Sequence, residues 1–267
     1  MVDSFAGTNM GIRPSGLVNW HQGRCGSSVL GSILGQHSAI QCENEVFSRY
    51  MPRRRGDAPV PIFSDVINGV SSARSKPFQL IEVKYLEAQN LGLYSDLDLR
   101  GWMESLVRHG FARHVLLHRR NGLRRIVSHL IAQRSGVYVL RGSPLPSVTN
   151  QPLQINCGAI TEGFQTHSLL EWLEIYESSF HCIRVLLEIL YSIVPGESVC
   201  ELFYEDDIES DPFSGYEKVC VFLGLKPESP TIDLRRINSG LLSGLIANYA
   251  EVECLLADTR FSWMLGE

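Results

Sequence analysis

Lysine is scarce in this chain. Four lysines (Lys76, Lys84, Lys218 and Lys226) stand against 20 arginines in 267 residues. With no lysine before Lys76, the first strand–turn–helix junction cannot be the ATP-type phosphate loop G-x-x-x-x-G-K-[ST]. C-x-x-C pairs are also missing. The seven cysteines (Cys25, Cys42, Cys157, Cys182, Cys200, Cys220 and Cys254) are odd in number, which argues against a disulfide framework. They read as reduced, mostly buried thiols in a cytoplasmic protein. No apolar run approaches the roughly 20 residues that span a bilayer. The opening MVDSFAGTNMGIRPSG is polar and Gly-rich, unlike a signal peptide, so residues 1–16 are expected to form a flexible tail. Internal repeats and low-complexity tracts are absent as well.

What is present suits one α/β domain over residues 17–267. Apolar residues make up 44% of the chain, enough for a large core. Short apolar segments at 17–22, 79–85, 114–118 and 199–204 read as strands, and 28–36, 97–109, 122–134, 166–193, 213–223 and 240–257 as helices. Residues 48–77 and 135–160, punctuated by Pro and Gly, read as long loops of the kind that form lids or binding sites. Strands alternating with helices predict a mainly parallel sheet with helices on both faces.

The charge is unevenly placed. Between Arg100 and Arg141 there are nine arginines and one acid, Glu104. Between Glu162 and Glu217 thirteen acids face Arg184 alone. A net charge of −5 disfavours general nucleic-acid binding. A local arginine cluster suits one compact polyanion, because guanidinium groups grip phosphate-like groups bidentately. The plainer alternative is a solvated basic helix face.

Two constellations could hold such an anion. In the first, Gly23-Arg24-Cys25-Gly26-Ser27-Ser28 lies between a strand and a helix, where backbone amides and the helix dipole favour negative charge. The alternative is an ordinary turn with a Ser N-cap. A Cys phosphatase loop would need Arg six residues after Cys25, where Gly31 stands. In the second, Arg119-Arg120-Asn121 ends a strand and Ser128 follows Arg120 by eight residues. A guanidinium and a hydroxyl so spaced can converge on one phosphate. Together they describe a ligand with two anionic groups.

At this point the chain resembles a known family. HQGRCGSSVLGSILGQH is similar to the 5′-phosphosulfate loop of sulfotransferases. HVLLHRRNGLRRIVSHLIAQ is similar to their 3′-phosphate segment, and LFYEDDIESDPFSGYEKVCVFLGL to a third, structural block. The resemblance implies a P-loop-like phosphosulfate-binding loop and 3′-phosphoadenosine 5′-phosphosulfate (PAPS) as donor, with no metal. By position, Arg24, Cys25, Gly26, Ser27 and Ser28 would hold the phosphosulfate, and Arg120 with Ser128 the 3′-phosphate. Arg24 stands where the cytosolic steroid and phenol enzymes carry Lys, which makes the chain look more like bacterial and Golgi carbohydrate sulfotransferases.

The segment Glu43-Asn44-Glu45-Val46-Phe47 resembles the family's Glu-x-Phe stretch, so Glu45 is the expected general base, with a pKa raised towards neutrality by partial burial. Lys84, at a strand end, would steady the leaving phosphate or the acceptor. His21 and His118 are alternative bases. Arg235 and Arg236 stand between a 3′-phosphate role and plain surface, and Arg53-Arg54-Arg55 between an exposed charge run and contact with an acidic acceptor or a peripheral membrane surface. The expected activity is sulfuryl transfer to a hydroxyl acceptor, a carbohydrate or glycolipid on the resemblance. The alternatives are a Mg-ATP-dependent phosphotransferase, kept open by Glu205-Asp206 after a strand, and a catalytically silent nucleotide-binding protein. Acceptor identity and oligomeric state are not legible in the sequence.

Overall fold

Strand β1 (Gly16–His21) is buried at every position, as a parallel strand covered on both faces must be. Its side chains alternate, Val18 and Trp20 entering one core and Leu17 the other. The structure is a computed structural model describing residues 16–142, 151–193, 199–236 and 240–266. The expected tail therefore lies outside the described residues, except that Gly16 already belongs to β1.

From β1 the chain runs through α1 (Ser27–Leu34), β2 (Ile40–Cys42), α2 (Pro52–Arg55), α3 (Phe63–Ser72), β3 (Phe78–Lys84), α4 (Leu99–Arg108), β4 (Phe111–His118) and α5 (Gly122–Ser135). It continues through β5 (Leu140–Arg141), β6 (Ile160–Glu162), β7 (Gln165–His167), α6 (Leu169–Ile193), β8 (Val199–Phe203), α7 (Pro212–Leu223), β9 (Leu234–Arg235), α8 (Leu242–Leu245) and α9 (Tyr249–Leu256). Five strands form one sheet in the order β2-β3-β1-β4-β8, and every pairing is parallel. Helices α1 and α7 cover one face, with Leu30, Ile33, Val219 and Leu223 against Leu17, Leu80, Val115 and Leu117. On the other face α3 to α6 close the larger core around Val18, Trp20, Ile81 and Leu116. This is the α/β fold class read from the sequence. Because β1 lies between β3 and β4, the turn after it opens where the strand order reverses, the usual place for a ligand in such sheets.

Several expectations are corrected. Residues 63–72, read as loop, form α3, with Phe63, Val66, Ile67 and Val70 buried at helical spacing. The last helix divides into α8 and α9, because Leu245 O and Ala247 N bond to Leu153 (2.7 and 2.8 Å) instead of continuing the helical ladder. The same contacts anchor part of the long loop, of which residues 143–150 lie outside the described residues. Strand β5 pairs with β9 as a small antiparallel clasp. The cysteines are all free, but only Cys25 and Cys220 are buried. Among the described residues no helix is long and apolar enough to cross a membrane.

Candidate active site

The turn after β1 has a backbone that few residues adopt. Gly23, Arg24 and Gly26 take φ values of 76°, 56° and 86°. At Gly26 a Cβ would lie 2.5 Å from Ile208 Cγ2, so glycine is required on both conformational and steric grounds. Helix α1 begins with Gly26 as N-cap, without a side-chain cap and without an acid in its first turn. The Ser N-cap of an ordinary turn is therefore not what the structure shows. The side chain of Cys25 is buried in the core, its thiol pushed up to about 11 by burial, so this residue offers the turn only its backbone.

Beside the turn lies a cavity of about 380 Å³. Arg24, Ser27, Ser28, Arg119 and Ser128 line it, together with Arg235 and Arg236. Arg24 Nε donates to Ser128 Oγ (3.1 Å) and Nη1 to Tyr138 O (2.8 Å). Arg119 is 7% exposed, and its Nε has no partner. Burial, then the neighbouring guanidinium groups of Arg119 and Arg125, lowers the pKa of Arg24, and burial lowers that of Arg119. Glu209 is the one acid among the described lining residues, and it is already paired with Arg236. The cavity thus concentrates desolvated positive charge, which a multiply charged anion would offset.

Ser128 is where the spacing argument expects it, whereas Arg120 is not. Its guanidinium stacks 4.1 Å above the Phe203 ring and grips Asp206 with both terminal nitrogens, one at 2.8 Å, away from the cavity. Arg119, one residue earlier, points the other way and takes the cavity position. The eight-residue spacing selects one arginine of the pair, while the alternation of side chains at the strand end selects the other. The acids that kept a metal-dependent phosphotransferase open are engaged too. Asp206 holds Arg120, and Glu205 accepts from Arg120 N and Asn121 N at the start of α5 (3.1 Å each).

A second cavity, about 810 Å³, shares Arg24, Ser27, Ser28, Tyr138, Val139 and Leu234 with the first. Glu45 and Lys84 line it, with Lys84 Nζ 2.7 Å from Glu45 Oε2. The expectation of a raised Glu45 pKa is overturned. Burial pushes it up, but the Lys84 ammonium, the nearby His21 and hydrogen bonds from Lys84 and Ser48 together outweigh burial and hold the carboxyl at about 2. Behind the pair is Glu82, which the sequence reading missed. Burial and the Glu45 charge raise its pKa to about 8. An acid inside the apolar run QLIEVKY was the available signal.

His21 and His118 are not placed as bases. Burial holds each near 3, and neither lines either of these two cavities. His21 Nδ1 accepts from Gly23 N (3.0 Å), so a neutral ring carries its hydrogen on Nε2, which faces Glu82 Oε2 at 3.6 Å. His118 stacks on Phe180 with ring centroids 3.8 Å apart. The ligand atoms of His21, Glu45 and Glu82 lie within 4.8 Å of one another, close enough to share a metal ion. However, the Lys84 ammonium sits on Glu45, and the His21 lone pair faces the turn. The cluster suits a proton better than a divalent cation.

No protein-family model matches the chain, and no curated protein matches it. Among solved structures, a sulfotransferase from Alicyclobacillus acidocaldarius superposes with a TM-score of 0.49 at 13% identity, covering 95% of this chain and 96% of that one. The sulfotransferase domain from the curacin biosynthetic pathway superposes with a TM-score of 0.41 at 12% identity, covering 81% of this chain and 76% of that one. Likenesses this distant carry no argument about chemistry.

Proposed function

We propose that the protein is a sulfotransferase that moves the sulfuryl group of PAPS to a hydroxyl oxygen of an acceptor. One observation carries this reading: two cavities meet at a single anion-binding turn, the smaller crowded with guanidinium groups and the larger holding the Glu45–Lys84 pair. In the smaller cavity Arg24, Ser27 and Ser28 hold the phosphosulfate. Arg119, with Ser128, replaces Arg120 as the 3′-phosphate partner, and Arg235 stands at the same wall. Tyr138, Val139, Ile232 and Leu234 offer the nucleobase an apolar surface. The guanidinium groups supply the charge stabilisation, and the reaction as proposed uses no metal.

The acceptor sits in the larger cavity, among side chains such as Gln22, Asn44, Gln89, Asn90 and Gln133. Tyr138 is the one phenol ring among the described lining residues. Such walls suit a multiply hydroxylated acceptor, a carbohydrate or glycolipid head group, better than a flat phenol or steroid. The acceptor oxygen bonds to sulfur as the bond from sulfur to the phosphate oxygen breaks, and the hydroxyl proton passes to Glu45. In the resting pair Glu45 is a weak base. When the Lys84 ammonium turns to the charge developing on the leaving oxygen, burial raises Glu45 into a useful range. The seven free thiols support a cytoplasmic, reducing setting.

Titration of the purified protein with 3′,5′-adenosine bisphosphate, the desulfated donor, beside ATP with and without Mg²⁺ tests the proposal. Metal-free binding of the bisphosphate, with ATP much weaker, is expected. Tight Mg²⁺-dependent ATP binding with an inert bisphosphate would overturn it in favour of phosphoryl transfer. Binding without turnover across a broad acceptor screen would leave a silent nucleotide-binding protein.

A further inference from the structure

The carbonyls of three successive turn residues are held from beneath by two arginines and an amide. Arg125, fully buried on α5, donates from Nε to Gly23 O (3.1 Å) and from Nη2 to Gln22 O. Gln89 Nε2 also donates to Gln22 O (3.0 Å), and Arg119 Nη1 donates to Arg24 O (3.2 Å). The other edge of the Arg125 fork grips Glu162 of β6, from Nη1 at 2.9 Å and from Nη2 at 2.6 Å. Glu162 then accepts from Tyr176 Oη (2.7 Å) and from Gln89. Tyr176 closes the ring, since its ring lies 4.1 Å from the Arg125 guanidinium carbon and its carbonyl accepts from Gln22 Nε2 (2.7 Å). Glu162 and Gln89 also line the acceptor cavity.

We propose that Arg125 and Glu162 are positioning residues that set the anion-binding turn and join it to the wall of the acceptor cavity. A turn with positive φ at both Gly23 and Arg24 persists only where its surroundings over-determine it. Here the over-determination comes from one planar fork satisfied on two edges, a geometry that lysine cannot copy. With the carbonyls bonded inward, the Arg24 side chain and the start of α1 are left facing the two cavities. Glu162 is the main group that allows a fully buried cation to stand there: burial opposes the Arg125 charge, and the carboxylate, with Tyr176 and Cys25, outweighs burial. The pair lies 37 residues apart in sequence, so the acceptor-side hairpin and the donor turn hold each other's geometry.

This inference rests on the anion-binding reading of the turn, and its test separates the two. Arg125→Lys keeps a cation opposite Glu162 and loses the fork, whereas truncation would strand a buried carboxylate and unfold the chain. The backbone amide resonances of Arg24 to Ser28 are recorded in the free protein, and affinity for 3′,5′-adenosine bisphosphate is measured in the same samples. Displaced turn amides and at least a tenfold loss of affinity in a cooperatively folded variant are expected, since misplacement by about 1 Å can cost about 100-fold. Gln89→Met, which removes only the amide of the cradle, is the milder second variant and should move both readouts in the same direction. Unmoved turn amides and wild-type affinity in the folded variants would overturn the positioning role. A wild-type protein that ignores the bisphosphate would sink the donor reading instead, while the amide shifts would still report on Arg125.

Discussion

Lys84 Nζ stands 2.7 Å from Glu45 Oε2, at the end of β3 and in the wall of the larger cavity. The pairing makes the carboxylate a poor base until the ammonium is drawn elsewhere, so one contact both stores and gates the proposed proton acceptor. Glu45→Gln is expected to lower turnover by roughly 100-fold or more with bisphosphate affinity intact. In Lys84→Met, burial is opposed only by His21 and a hydrogen bond from Ser48, and the Glu45 pKa should climb above 2. A carbon-13 titration of the Glu45 carboxyl checks this. A value unmoved by the loss of Lys84 would remove the gating argument.

Arg119 and Arg120 should separate cleanly by calorimetry. Arg119→Ala is expected to weaken 3′,5′-adenosine bisphosphate by about 10- to 150-fold, the scale of a hydrogen bond to a charged group. Arg120→Ala loses an exposed pair with Asp206 and should change affinity little. The opposite order would restore the eight-residue spacing with Ser128 as the true guide to the phosphate site.

Glu82 gives the stability a pH dependence of known sign. Its folded pKa, about 8, lies above the ordinary 4.5, because burial and the Glu45 charge disfavour ionisation while Lys84 opposes them. Between those values the folded state holds the proton more tightly than the unfolded chain. The contribution of this group is therefore fully present below about pH 4.5 and is lost as pH rises through about 8. Glu82→Gln stays neutral throughout, so its urea-unfolding stability should gain on the wild type from pH 5 to pH 9. Parallel pH profiles for the two proteins would mean that Glu82 is ionised in the fold.

Gly26→Ala places a Cβ against Ile208 and forces a positive φ on an L side chain. A loss of about 1–3 kcal/mol in unfolding free energy is expected, along with a marked drop in bisphosphate affinity. A variant that unfolds and binds like the wild type would show that the turn has another accessible shape.

Periodicity, turn residues and helix stops are local properties, so the strand–turn–helix over 17–36, four of the five strands of the parallel sheet and most helices were legible from the chain alone, whereas β2, only three residues long, was not read. The same holds for Arg24, Ser27, Ser28 and Ser128, which the fold brings to one cavity. The clasp of β5 with β9 and the division of the last helix were not legible, because each depends on partners far away in sequence; the β6–β7 hairpin is local, but its three-residue strands are too short to carry a periodic pattern. The direction of Arg119 against Arg120 depends on how one strand ends over the sheet. The opposite shifts of Glu45 and Glu82 depend on which buried carboxyl receives the ammonium, which only the packed sheet decides. Arg125 and Glu162, polar residues in a core, carry no local signature of the turn they hold. Residue type determined what chemistry the chain can offer, while burial and long-range pairing decided which groups face the cavities, which stay charged and which serve as their supports.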